Sequence, residues 1–174
     1  VQFWDGRAPS LEEQAKGPPV NPIEMGMRDL DAVIDRIRHI PGYRPYFEQA
    51  FGPGDVVTMD NAAKAIAVYE RTLITPGSAY DRYAKGDKTA MTAQQLRGME
   101  TFVEVGCTSC HQGPAFNGPP LPAGTGFFMK FPTYPESPYV AKYKLAEEPG
   151  RFSATKDEAE RGMWRVPTLP NLTY

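Results

Sequence analysis

Both cysteines of the chain lie in one short run, Cys107-Thr108-Ser109-Cys110-His111. The Cys-x-x-Cys-His pattern is typical of the attachment site of a c-type haem. Two thiols spaced in this way can bond to the two vinyl groups of one porphyrin, and the next residue can supply the fifth ligand of the iron. The sequence therefore predicts one covalently bound haem c, attached through Cys107 and Cys110, with the imidazole of His111 on the iron.

Three other interpretations of the same run are possible, but each is less consistent with the residues present. A thioredoxin-like redox pair requires a βαβ setting, which the surrounding pattern does not indicate. A structural zinc site requires four ligands, and only His39 is available to join the three residues of the run. A disulfide between Cys107 and Cys110 would leave His111 without a role.

Length, charge and hydropathy limit the classes of protein to which the chain can belong. A length of 174 residues suits one domain or slightly more, and a net charge of −2 argues against a nucleic-acid-binding surface. No run of 18 apolar residues is present, so no membrane span is predicted. The chain begins at Val1 without a signal peptide, so we expect either a removed leader or a fragment. Because haem c is attached outside the cytoplasm, the protein is expected in the periplasm.

Apolar periodicity predicts a mainly α protein, a cytochrome c-like haem domain with long loops rich in its 18 prolines and 16 glycines. A capping box at Ser10 predicts a first helix from Leu11 to Lys16, ended by Gly17-Pro18-Pro19. Later helices are expected from Leu30 towards Ile40, from Tyr43 to Phe51, from Asn61 to Leu73 with Asp60 as its cap, from Tyr80 to Ala84, and from Thr92 to Val105.

The last of these helices leads directly into the cysteine run. Its apolar residues recur at helical spacing and are expected to pack against the porphyrin, namely Leu96, Met99, Phe102 and Val103. Residues 112–138 have little periodicity and are predicted to form a loop over the ring edge. Residues 164–170 are predicted to be extended, because each proline disfavours helix in the residue before it.

Three residues outside the run have candidate roles. Trp4 stands in an aromatic segment beside an Asp-Gly turn, where core packing is the commoner use of tryptophan. Glu24 lies between Ile23 and Met25, and a carboxylate in apolar surroundings can act as an acid or a base, although a solvated loop glutamate is commoner. His39, in the last turn of its helix, is interpreted as structural.

Several motifs occur in a fixed order along nearly the whole chain. They are Gln-Phe-Trp-Asp-Gly-Arg-Ala at 2–8, Leu11 with Gln14-Ala15, Gly17-Pro18, Asn-Pro-Ile-Glu-Met at 21–25, Leu-Ile-Thr-Pro at 73–76, Gly-Cys-Thr-Ser-Cys-His-Gln-Gly at 106–113, Gly-Arg-Phe at 150–152 and Arg-Val-Pro-Thr-Leu at 165–169. In these motifs the chain resembles the bacterial dihaem cytochrome c peroxidases. That family carries a peroxidatic haem in its N-terminal domain and a high-potential haem in its C-terminal domain.

The resemblance implies a role for each candidate residue. The cysteine run at 107–111 corresponds to the second haem, which takes electrons from a small cytochrome c or a copper protein. Trp4 corresponds to the tryptophan between the two haems, which is implicated in electron transfer. Gln14 and Glu24 correspond to residues over the peroxidatic haem, where the glutamate is the acid–base group for cleavage of the O–O bond of hydrogen peroxide.

The resemblance also implies a division of the chain. Residues 1–26 belong to, or link from, the N-terminal peroxidatic domain, residues 27–90 form a helical linking region, and residues 91–174 form a truncated C-terminal haem domain. The family's first haem motif and the methionine that is sixth ligand of the second haem fall outside this sequence. Met129 and Met163 are at other positions, and neither is expected to bind iron.

The intact protein is therefore expected to carry a second haem. The family's interdomain calcium site would need residues from both missing ends, and a homodimer is one option for the assembly. Two other functions remain open on the same scaffold. One is a monohaem cytochrome that only transfers electrons, and the other is a maturation-type relative that oxidises a partner protein.

Overall fold

The computed structural model describes residues 1–122 and 124–172. Its helices are α1 (Leu11–Ala15), α2 (Gly17–Val20), α3 (Leu30–Arg38), α4 (Tyr43–Phe51), α5 (Met59–Glu70), α6 (Ala79–Ala84), α7 (Ala93–Glu104), α8 (Pro138–Tyr143) and α9 (Phe152–Thr155). Short 3-10 helices cover Cys107–Ser109, Leu145–Glu147 and Glu158–Glu160, and two strands, β1 (Phe128–Lys130) and β2 (Met163–Arg165), form a small sheet. The protein is mainly helical, as the periodicity predicts.

The chain divides into two compact units. The first contains Val1–Phe3 and Ala8–Leu73, and the second contains Trp4–Arg7 and Ile74–Tyr174, apart from the residues that are not described. The segment that carries Trp4 therefore belongs to the same unit as the cysteine run, although about 100 residues of sequence separate them. The division into segments 1–26, 27–90 and 91–174 remains a prediction.

In the first unit, α1 packs against α5 through small side chains. Ala63 and Ala67 of α5 have no exposed surface, and Ala15 of α1 is buried. Small residues let two helix backbones approach closely, so this contact leaves no room for a larger side chain. A second cluster of this unit joins α3, α4 and α5 through the buried residues Ile34, Phe47, Val57 and Ala62.

The beginning of the first unit differs from the predicted one. The Ser10 hydroxyl accepts a hydrogen bond from the Glu13 amide at 3.1 Å, as the capping motif predicts. The residues Gly17-Pro18-Pro19 do not end the helical region, however, but open α2. Proline is tolerated in a first helical turn because the amide it lacks would have no partner there.

The cap and the buried face of α5 also differ from the prediction. The helix begins two residues earlier, with the Thr58 hydroxyl accepting from the Asn61 amide at 3.2 Å. Asp60 instead pairs with Lys16 at 2.9 Å, and this hydrogen bond and charge hold the pKa of Asp60 below its usual value. The apolar periodicity predicts a buried stripe made of Ala62, Ala63 and Ala67 together with four large residues. The three alanines are buried, as predicted, but the large residues are exposed, namely Ile66, Tyr69, Leu73 and Ile74, as is Tyr46, a predicted packing residue of α4.

In the second unit, α7 begins at the predicted capping box. Thr92 and Gln95 each accept a hydrogen bond from the other's backbone amide. The predicted loop 112–138 contains β1, which the sequence did not reveal because three residues are too few for a period of two. In the antiparallel register, Phe128 is opposite Arg165 and Met129 is opposite Trp164. Within the described ranges, no helix has both the length and the apolar character needed to cross a bilayer.

The tight contact between α1 and α5 can be tested by enlarging one alanine. Ala63→Leu should lower the free energy of unfolding by about 1–3 kcal/mol, because the added carbons have no space. Ala65→Leu is the matched control, since Ala65 lies on the exposed face of the same helix. Urea denaturation of both variants measures the difference. Equal stability of the two variants would contradict the close packing.

Candidate haem-binding site

The cysteine run follows α7 through a glycine turn. Gly106 has a φ of 84°, which glycine adopts without the steric cost that a side chain brings. The 3-10 helix Cys107–Ser109 comes next, and the amides of Cys110 and His111 both donate to the Cys107 carbonyl, at 3.3 and 2.9 Å. One turn of backbone therefore holds both thiols and the imidazole. Both cysteines are free and half-buried, so the disulfide considered from sequence is not formed.

A hydrogen bond orients the imidazole of His111. Its Nδ1 lies 2.7 Å from the carbonyl oxygen of Phe116. A carbonyl can only accept, so Nδ1 carries the proton and Nε2 keeps the lone pair that a metal needs. Histidines that bind metals commonly donate their second nitrogen in this way. The arrangement is the one expected of an iron-ligating histidine.

Aromatic packing supports this hydrogen bond. The ring of Phe102, on α7, lies 6.1 Å from that of Phe116 and 6.4 Å from that of His111, and the Tyr80 ring lies 5.0 Å from Phe116. Phe116 itself has a φ of 52°, in the left-handed region. The apolar face of α7 thus reaches the site through Phe102, which packs on the histidine.

The run forms one wall of a cavity of about 630 Å³. This volume lies within the range of cofactor pockets. Much of the remaining wall is apolar and comes from Trp4, Val105, Met129, Phe131, Leu145 and Trp164. Two free thiols, an oriented imidazole and apolar walls are the features that a covalently attached haem requires, so the residues present fit haem c. Met129 lies in this wall, although the resemblance to the family does not predict it to be an iron ligand.

Trp4 is held beside the run by backbone hydrogen bonds. Its carbonyl accepts from the Arg165 amide at 2.8 Å, and the next carbonyl, of Asp5, accepts from Arg151 Nη1 at 3.4 Å. The Trp4 side chain is 57% exposed and lines the cavity, so it is not the core residue that composition alone favoured. The structure therefore brings Trp4 together with the cysteine run.

Gln14 and Glu24 both lie in the first unit. Gln14 is half-buried on α1, and Glu24 is exposed in the turn after α2. The Asn21 amide group donates to the Glu24 carboxylate at 3.1 Å. The apolar setting expected around Glu24 is not found in this unit, since Ile23 is 92% and Met25 is 70% exposed. The roles of Gln14 and Glu24 remain predictions.

His39 is exposed, with its Nδ1 2.7 Å from the Asp35 carbonyl, in keeping with a structural role.

Sequence reasoning assigned no role to Arg151, Trp164 or Arg165, although all three contribute to this site. Arg151 lay in a motif of the resemblance, as did Arg165, but no local pattern indicated what either would contact.

No group of three or more His, Cys, Asp or Glu side chains suited to a metal ion occurs among residues 1–122 and 124–172.

Comparison with known proteins agrees with this geometry. The family model described as di-haem cytochrome c peroxidase matches residues 1–89, about half of the chain. The chain belongs to the dihaem cytochrome c peroxidase family. It is 41% identical to the cytochrome c551 peroxidase of Nitrosomonas europaea over its full length, and 39% identical to that of Pseudomonas aeruginosa over 99% of it. These matches cover 48% and 47% of the relatives, so the chain spans about half the length of the family members it matches.

The family also includes proteins of a different name. The chain is 41% identical to the methylamine utilization protein MauG of Methylorubrum extorquens, over 62% of its length and 31% of the relative's. Among solved structures, a MauG-like protein associated with microbial copper homeostasis has the same fold, with a TM-score of 0.68 at 24% identity over 91% of this chain and 48% of its own. The diheme peroxidase BthA of Burkholderia thailandensis has a TM-score of 0.64 at 23% identity, over 96% and 44% respectively.

The loop that orients His111 can be tested at Gly118, whose amide donates to the Gln112 carbonyl. Gly118 has a positive φ, and a Cβ there would overlap the Phe127 side chain. Gly118→Ala should lower the free energy of unfolding by roughly 2–4 kcal/mol. Gly86→Ala, also at a positive φ but with open space around it, should cost only about 1 kcal/mol. Thermal or urea denaturation compares the stabilities of the two variants. Similar losses of unfolding free energy would show that the Phe127 contact is unimportant.

Proposed function

We propose that this chain carries a covalent haem c and forms part of a protein that reduces hydrogen peroxide to water. One observation carries the proposal, namely that two free thiols and a histidine with an available Nε2 face a single apolar cavity. Membership of the dihaem cytochrome c peroxidase family supports the reaction, since the relatives named as peroxidases match 98–100% of the chain.

Each residue of the cavity has a distinct part in this proposal. Cys107 and Cys110 hold the haem by thioether bonds, and His111 binds the iron through Nε2. The haem supplies one-electron redox chemistry when bound. The apolar wall excludes water, which favours a stable electron carrier. Trp4, whose ring lines the same cavity, is placed to pass electrons from this haem towards a peroxidatic site.

The reduction of hydrogen peroxide also requires a group that transfers protons. Reduction of one hydrogen peroxide consumes two electrons and two protons and yields two waters. A carboxyl group close to the bound peroxide can take a proton from one oxygen and return it to the other. Glu24 is our candidate for this role, with Gln14 beside the same peroxidatic haem. Glu24 is exposed in the first unit, with one oxygen held by Asn21.

The remaining features of the intact protein belong to the same proposal. The intact protein carries a second, peroxidatic haem, with calcium between the haem domains as an option. Electrons come from a small cytochrome c or a copper protein, the protein is periplasmic, and a homodimer is one option for the assembly. The second unit, with its helices around the cysteine run, acts as the cytochrome c-like electron-transfer domain. Apart from Trp4–Arg7, which are part of the second unit, residues 1–26 belong with the peroxidatic domain, and residues 27–90 lead from it into the electron-transfer domain.

A maturation-type function, oxidation of a partner protein, is the second candidate. It is supported by the match to MauG and by the fold shared with a MauG-like protein. The MauG matches cover 62–66% of the chain, whereas the peroxidase matches cover 98–100%. Peroxidase is therefore the better supported function, and a monohaem electron carrier is favoured by none of these matches.

The haem attachment can be tested by substituting the cysteines. Cys107→Ala and Cys110→Ala should each leave the haem joined by one thioether bond, and the double variant should lose it entirely under denaturing conditions. The pyridine haemochrome spectrum and the intact mass of the protein measure the outcome. Haem that stays with the denatured double variant would remove this site from the assignment.

The proton-transfer role of Glu24 can be tested in the intact two-haem protein. Glu24→Gln should lower the rate of peroxide turnover by roughly 100-fold or more, because the acid–base group is lost while the shape is kept. The haem content should be unchanged. Glu48→Gln, at another carboxylate of the first unit, is the matched control and should turn over normally. Unchanged turnover in Glu24→Gln would remove this residue from the mechanism.

A further inference from the structure

The carbonyl that orients His111 belongs to a residue with an unfavourable backbone conformation. Phe116 accepts the hydrogen bond from His111 Nδ1 at 2.7 Å, and its own φ is 52°. A side chain disfavours this left-handed region, because its Cβ comes too close to the following carbonyl oxygen. Phe116 therefore keeps this conformation only where its neighbours hold it. The contacts that hold Phe116 also decide where its carbonyl points.

The peptide plane before Phe116 is held at both of its polar atoms. The Phe116 amide donates to the Gly113 carbonyl at 3.1 Å. At the other end of the plane, the Ala115 carbonyl accepts two hydrogen bonds, one from the Thr168 hydroxyl at 2.8 Å and one from the Leu169 amide at 3.3 Å. This plane is the fixed base from which Phe116 turns its carbonyl towards the histidine.

Both donors to Ala115 lie in one extended stretch, the 165–171 segment. Pro167 and Pro170 stand on either side of them, and each proline fixes its own φ and keeps the residue before it out of the helical region. Thr168 is also β-branched, which restricts its side-chain rotamers. The Thr168 hydroxyl is therefore placed by a stiff backbone and a stiff side chain.

The 165–171 segment is anchored at both ends within the second unit. At its start, the Arg165 amide donates to the Trp4 carbonyl at 2.8 Å. At its end, the Asn171 side chain accepts from the Thr75 hydroxyl at 3.0 Å and donates back to it at 2.8 Å. Thr168 lies between these anchors, so a shift of its hydroxyl away from Ala115 would strain both of them.

We propose that Thr168 is a positioning residue for the iron ligand His111. Its hydroxyl holds the peptide between Ala115 and Phe116, and that peptide directs the Phe116 carbonyl at His111 Nδ1. The inference rests on the proposed function, in which Cys107 and Cys110 attach a haem and His111 Nε2 binds its iron. It assigns a role to a residue 57 positions after the histidine in the sequence.

The hydrogen bond at Nδ1 has a measurable consequence for the haem. Donation from Nδ1 to a carbonyl raises the basicity of the imidazole, which makes Nε2 a stronger ligand. A stronger donor ligand favours oxidised iron and lowers the reduction potential. Loss of the Thr168 hydroxyl frees the peptide to turn, weakens the bond at Nδ1 and so raises the potential. A role in folding alone would change stability and leave the potential where it is.

The experiment measures the reduction potential of the haem attached at Cys107 and Cys110, by spectroelectrochemical titration of the intact haem-loaded protein. Thr168→Val keeps the shape of the side chain and removes the donor, so it should raise the potential. Thr168→Ser keeps the hydroxyl and should restore most of the original value. Thr125→Val is the matched control, because the Thr125 hydroxyl also donates to a carbonyl, that of Pro122, at 2.7 Å. It should leave the potential unchanged.

Proton exchange gives a second readout on the same variants. In the reduced protein, nuclear magnetic resonance follows exchange of the His111 Nδ1 proton with solvent. This exchange should be roughly 2–10-fold faster in Thr168→Val, the factor that corresponds to the loss of one typical hydrogen bond. Thr168→Ser and Thr125→Val should exchange at the rate of the unmodified protein.

Covalent haem is counted first in the unmodified protein, so that the two proposals can fail separately. Absence of haem at Cys107 and Cys110 overturns the proposed function and this inference with it. With haem bound, three results overturn the role of Thr168 alone: an unchanged potential in Thr168→Val, an equal shift in Thr125→Val, or no recovery in Thr168→Ser. Lower stability of Thr168→Val in urea without a shift in potential belongs with the first of these.

A further measurement uses the unmodified protein and applies even if Thr168→Val does not fold. If the 165–171 segment holds the peptide that orients the histidine, one opening event exposes the Leu169 amide, the Phe116 amide and the His111 Nδ1 proton together. The three protons should then have similar protection from hydrogen exchange. A Leu169 amide that exchanges freely while the His111 proton stays protected would overturn the inference.

Discussion

The guanidinium of Arg151 joins the segments that build the cavity beside the cysteine run. It pairs with Glu160 at 2.9 Å, lies 4.1 Å from the ring of Phe128 on β1, and donates to the carbonyl of Asp5. Its own amide donates to the Met163 carbonyl of β2 at 2.8 Å. Because these contacts are partly buried, they are less screened than a surface ion pair. Arg151 therefore ties the short sheet to the segment that carries Trp4, in addition to the hydrogen bond from the Arg165 amide to the Trp4 carbonyl.

A second constraint acts on the cysteine run itself. The turn at 107–111 would leave the His111 ring free to rotate, but the Phe116 carbonyl fixes it by accepting from Nδ1. Phe102 from α7 packs on both rings. The ligand nitrogen is thus oriented by groups before and after it in the sequence. Pre-orientation of this kind is what lets a metal-binding histidine hold its geometry.

Local signals predicted much of the architecture because they depend on near neighbours. The caps at Ser10 and Thr92 and the bounds of α4 follow from residues within one turn of each other. The prediction was wrong where distant packing decided, as in the large side chains of α5, which are exposed, and in α2. The strand β1 is stable only through its partner about 35 residues later, so its own sequence carried no strand signal.

The sequence by itself indicated the Cys-x-x-Cys-His run as the candidate site, because this spacing is a local pattern that needs no fold to be recognised. It also determined the mainly helical class and, through its ordered motifs, the family. Only the tertiary structure decided that Trp4 lies at the cavity and that Phe116 orients His111. Such contacts join residues far apart in the chain, and they exist only once long-range packing has placed the segments together.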